Sequence, residues 1–144
     1  MKNKGVWLIA VILCLPLIIS PQAGAQEAAR AAGVDFRGTW SGTFFSKHSN
    51  IAPFTLTVVI GSNSEGRLVG NSSHNSSCLK DLQLQVTVTG SRVVLAGSDS
   101  DGDNITVRGT MDKTGTMVKS SYVLNGSATG QCETDDGAGT LAER

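Results

Sequence analysis

From Phe36 onward the chain alternates apolar with small or polar residues, a period of two that suits strands and leaves helices little room. The clearest run sets Leu82, Leu84, Val86 and Val88 on one side and Gln83, Gln85, Thr87 and Thr89 on the other. Side chains of an extended segment point to opposite faces in turn, so such a run buries one face and wets the other. Phe54, Leu56, Val58 and Ile60, with Thr55 and Thr57 opposite, repeat the pattern, and Gly38 to Phe44 does so with Trp40 and Phe44. Shorter strands are predicted at Arg67–Asn71, Arg92–Gly97 and Ile105–Gly109, then Met117–Leu124, Ser127–Cys132 and Ala138–Leu141. Between them stand turn formers: Lys47 to Pro53, Gly61 to Gly66, Asn71 to Ser77, Gly90-Ser91, Asp99 to Asp103, Asp112 to Gly115 and Asn125-Gly126.

About eight short strands with short connections make an all-β, antiparallel up-and-down meander. A small closed barrel is favoured over an open coiled sheet, because closure removes the sheet edges that invite aggregation. The recurring Gly-Thr pairs at Gly38, Gly109, Gly115 and Gly139 look like an internal repeat, but Gly-rich turns between strands generate that likeness by themselves.

Ahead of this region lies a different composition. A basic start, Met1 to Lys4, precedes an apolar stretch from Val6 to Ser20 and the small-x-small run Ala23-Gly24-Ala25. That order is the pattern of a cleaved export signal. The expected organisation is therefore a signal peptide at 1–25, an Ala-rich tail at 26–35 and a single β-domain at 36–144. The apolar run is short and interrupted by Pro16, so stable membrane insertion is not expected after the leader is removed. The implied destination is secreted or periplasmic, and the short Lys-containing leader suits a bacterial source.

Charge narrows the partners. The chain has 12 basic and 12 acidic residues, and losing Lys2 and Lys4 with the leader leaves a formal charge of −2. No basic run remains, so attraction to nucleic acid or to an anionic membrane is not expected. Of three cysteines, Cys14 leaves with the leader, and Cys78 and Cys132 are expected to bond in an oxidising compartment.

Catalytic chemistry is poorly supplied. His48 and His74 sit in polar segments read as solvated loops, and no Gly-x-Ser-x-Gly elbow occurs. An enzyme is not expected, nor is a cofactor. Asp99, Asp101 and Asp103 place carboxylates at alternate loop positions, as a calcium loop does, but Asn104 stands where the glycine should be and Thr110 where the bidentate glutamate should be. The expectation is an ordinary charged turn and no metal, with calcium as the alternative. Four Asn-x-Ser/Thr sites, at Asn71, Asn75, Asn104 and Asn125, are expected to be bare in a bacterial cell.

Gly38-Thr39-Trp40 resembles the opening of the calycin superfamily, in which lipocalins carry Gly-x-Trp and avidins begin Gly-Thr-Trp. The segment from Phe54 to Gly70 is similar to the second and third avidin strands. The resemblance implies an eight-stranded barrel that binds a small molecule in its open end, with Trp40 near one end of the barrel. It also implies an arginine packed over that tryptophan, for which Arg144 and Arg108 are candidates. The mature chain has one tryptophan where avidins use several, which argues against biotin as the ligand.

The functional expectation is an exported non-enzymatic binding module for a small apolar or amphipathic ligand. Trp40, Phe44 and Tyr122 are its candidate contacts, and small inward residues such as Gly42, Gly70, Gly97 and Ser120 leave room for a cavity. The alternative is an envelope protein-interaction, structural or inhibitor domain without a small-molecule pocket.

Overall fold

The structure, a computed structural model, describes residues 35–144; the expected leader and all but the last residue of the expected tail lie outside the described residues. Eight strands follow in order: β1 Gly38–Ser46, β2 Phe54–Ser62, β3 Leu68–His74, β4 Gln83–Thr89, β5 Arg92–Ser98, β6 Asn104–Met111, β7 Met117–Asn125 and β8 Asp135–Glu143. Each pairs antiparallel with the next, and β1 pairs with β8 to close the ring. No helix occurs among the described residues. The expected meander and closed barrel are thus what the chain forms.

Alternation decides which side chains go inside. Along β4 every second residue is buried, and β7 buries Val118, Ser120, Tyr122 and Leu124 in the same rhythm. Trp40, Tyr122, Phe44, Leu56, Leu84 and Leu95 head the fully buried side chains. The small inward residues do not translate into empty space. A Cβ on Gly70 would lie 2.4 Å from a Val58 methyl, so the missing side chain is the room that Val58 occupies. Interiors close-pack in this way, large residues filling what small neighbours vacate.

Three stretches differ from the sequence expectation. β3 continues through Asn71 to His74, because Ser72 points inward and anchors to Leu82: its hydroxyl donates to the Leu82 carbonyl at 3.0 Å, and the Leu82 N–H donates back at 3.3 Å. Ser127–Cys132 is a loop rather than a strand, since the N–H groups of Ser127, Gln131 and Cys132 donate to the Asp103 carboxylate. Asn125-Gly126 opens that long connection instead of making a tight turn. Gly126 serves there by close approach, the Cys132 carbonyl oxygen lying 1.9 Å from where its Cβ would be.

The barrel has two unlike ends. Short turns at 63–67, 90–91 and 112–116 cluster at one, where Phe36 stacks on Trp40 with ring centroids 4.3 Å apart. The long connections 47–53, 75–82 and 126–134 gather at the other, together with the acidic turn 99–103. Most of the buried polar groups lie at this loop end.

Candidate functional site at the loop end

The expected ligand contacts are divided between the two ends. Trp40 and Phe44 both point inward on β1 but are four residues apart, about 13 Å along a strand. Trp40, fully buried, closes the turn end; its indole N–H donates to the Phe36 carbonyl at 3.2 Å. Phe44 and Tyr122 meet at the loop end, edge to face at 5.7 Å, with Phe54 lying 5.5 Å from Phe44 and 5.2 Å from Tyr122. All three rings are buried. The arginine candidates also separate: Arg108 faces outward on β6, and Arg144 donates to the Ser41 hydroxyl at 3.4 Å beside β1.

Above the aromatic triad sits a polar layer. The Tyr122 hydroxyl donates to one oxygen of buried Asp135, and Ser46 donates to the other at 2.6 Å. The Ser46 oxygen in turn accepts the His48 N–H at 2.8 Å. Burial first, and then the adjoining Asp135 carboxylate, push the Tyr122 phenol well above its ordinary value, so it stays a proton donor. Ser46 thus meets a carboxylate with no imidazole between them, and no nucleophile–base relay is formed. Outside this layer Lys47 binds Asp136 and holds its carboxyl below the ordinary range, with His48 3.7 Å from the same carboxylate.

The acidic turn is a clasp. Asp99 accepts the N–H groups of Asp101, Asp103 and Lys80 at 2.9, 3.1 and 3.1 Å. Asp103, fully buried, accepts those of Ser127, Gln131 and Cys132 at 2.6, 3.1 and 3.2 Å. The Asp101 carboxylate pairs with Lys80 at 2.7 Å, and its carbonyl accepts the hydroxyls of Ser127 and Thr129. Asp99 and Asp101 therefore both tie to Lys80 of the 75–82 loop, while Asp103 turns to the 126–134 loop, so the carboxylates are spent on loop ties. Among the described residues no group of three or more His, Cys, Asp or Glu is arranged to hold a metal ion. The Cys78–Cys132 disulfide joins two of the same loops, with Cα atoms 4.9 Å apart.

His74 departs from its reading as a solvated loop residue. It ends β3 with its side chain 3% exposed, and neither ring nitrogen has a hydrogen-bond partner; Asp81, itself exposed, is 3.8 Å from Nε2. The sequence signal was the parity shared with Gly70 and Ser72, hidden by the polar composition around it. His48 is exposed as expected.

The loop end as built is a cross-tied cap over an aromatic cluster. It offers surface to bind with, and its carboxylates Asp99, Asp101, Asp103 and Asp135 are occupied in holding loops together. No protein-family model matches the chain, and neither the curated proteins nor the solved structures contain a match to it.

Proposed function

We propose that this protein is an exported, non-enzymatic interaction module of the cell envelope, binding a partner protein through its exterior at the loop end. One observation carries the reading: the side chains best suited to hold an apolar ligand inside the barrel are already packed, Trp40 on Phe36 at the turn end and Phe44 and Tyr122 on each other and on Phe54 at the loop end. An internal ligand would have to displace that packing. The exterior of the loop end, by contrast, presents Phe45 at 59% exposure beside the Lys47–Asp136 pair. An exposed aromatic rimmed by charge is the composition of an interface anchor. The calycin resemblance at Gly38-Thr39-Trp40 supports the barrel and leaves open which of its surfaces binds.

Trp40 is the single tryptophan of the mature chain, which makes the test direct. Titrating the mature protein with an apolar probe such as 8-anilinonaphthalene-1-sulfonate should leave Trp40 emission unchanged. A photo-cross-linking residue at Phe45 should trap a discrete envelope protein, whereas one at Thr87 on β4 should not. A saturable change of Trp40 emission, with no adduct from Phe45, would return the small-ligand reading to first place.

A further inference from the structure

Among the nine described lysines and arginines, Arg37, Lys47, Arg67 and Lys80 form ion pairs. Arg92, Arg108, Lys113 and Lys119 appear in none of the ion pairs among the described residues, and all four are exposed. They come from different parts of the chain, and barrel closure puts them together. Arg92, Thr110 and Lys119 form one row of paired positions across β5, β6 and β7. At about 4.8 Å per strand, Arg92 and Lys119 are about 10 Å apart. Arg108 lies in the next outward-facing row, between Val94 and Ser121, and Lys113 sits on the turn joining β6 to β7. The outward positions of β4 to β7 carry no acid; on β8, Asp136 is paired with Lys47, and Glu143, exposed at the strand's last position, reaches toward Gly38 of β1. Asp112, beside Lys113, aims its carboxylate at the N–H groups of Thr116 and Met117.

We propose that the outer face of β5–β7 docks onto the headgroups of an anionic lipid bilayer. Three features favour a lipid surface. The outside of a closed barrel is convex, so it meets a plane more readily than it cradles a polymer. No aromatic side chain stands outward on these strands for a sugar ring to stack on. Apolar residues are interleaved with the cations: Met117 is 48% exposed and Val123 38% exposed, both on β7 with Lys119. Long basic side chains reach phosphates while neighbouring apolar groups rest at the acyl boundary. The contact is peripheral, and it stands whether or not the loop end binds a protein.

Co-sedimentation of the mature chain with vesicles tests it. Binding is expected to vesicles of equal phosphatidylglycerol and phosphatidylcholine, to be absent with phosphatidylcholine alone, and to vanish at about 1 M salt, where screening acts within roughly 3 Å. Each of Arg92→Gln, Arg108→Gln and Lys119→Gln should weaken partitioning about five-fold, and the triple variant about a hundred-fold. Arg37→Gln with Arg67→Gln, removing two paired cations elsewhere, should leave it unchanged. Circular dichroism of the triple variant confirms the barrel, since all three side chains are external. Equal binding to neutral vesicles, full binding by the triple variant, or capture by dextran sulfate without binding to anionic vesicles would overturn the assignment.

Discussion

Tyr122, a candidate ligand contact, has a structural role that burial and hydrogen bonding define. Its ring packs on Phe44 and Phe54 while its hydroxyl donates to Asp135, so both halves of the side chain are engaged. Tyr122→Phe keeps the ring and leaves one Asp135 oxygen unpaired in a buried layer. The expected loss is about 1–3 kcal/mol of unfolding free energy, read from urea denaturation. An unchanged denaturation midpoint would show that water replaces the hydroxyl at no cost. Asp103 belongs to the same scale. The Ser127 N–H foremost, then those of Cys132 and Gln131, hold its carboxyl below the ordinary value of 3.8, against the opposing effect of burial. A carboxylate with a lowered folded-state pKa stabilises the fold at pH above its unfolded value, and that stability is lost as pH falls through the folded value. The melting temperature should therefore drop as pH falls below 3.8, and Asp103→Asn should make that acid limb shallower while lowering stability at neutral pH. Neither role is visible in the string of residues, because their partners are distant in sequence.

Among the elements, the strands were far easier to read than what joins them. The limits of β2 and β4 follow closely from alternation, since each has one face against the core and one in water. β3 outruns its apolar residues because Ser72 satisfies itself on Leu82, so a polar residue keeps an inward slot. The 126–134 connection is harder still. Its backbone donors are taken up by a carboxylate from the β5–β6 turn, and its position is tied by a sulfur bridge to the β3–β4 loop. The cysteines lie 54 residues apart in sequence, and closing so long a loop restricts the unfolded chain by roughly 4 kcal/mol. Replacing both cysteines with serine should lower the unfolding free energy by about 2–5 kcal/mol. The Asp99 and Asp103 bonds should keep the two loops close, so a barrel of unchanged far-ultraviolet dichroism is expected. Loss of the β-spectrum would mean that the bridge, rather than the carboxylates, organises the cap.

At the scale of the whole molecule, the inward-facing aromatic and aliphatic side chains of the described barrel form one buried cluster. Phe44→Ala at its loop end should cost about 3–5 kcal/mol, a sizeable part of the 5–15 kcal/mol typical of a domain. A variant that loses little stability and gains affinity for small apolar molecules would reveal an interior able to adapt. Alternation, turn residues and a cysteine pair were enough to specify an all-β meander, its closure and its disulfide, because those depend on neighbours along the chain or on a choice of one partner. What tertiary structure alone decided depends on pairs that sequence distance conceals. Val58 occupies the space that Gly70 vacates, so small inward residues do not amount to a cavity. Asp99 and Asp103 turn to backbone N–H groups, so an acidic run becomes a clasp. Arg92, Arg108, Lys113 and Lys119, scattered along the chain, gather on one face, because antiparallel pairing places residues beside one another by register rather than by sequence distance.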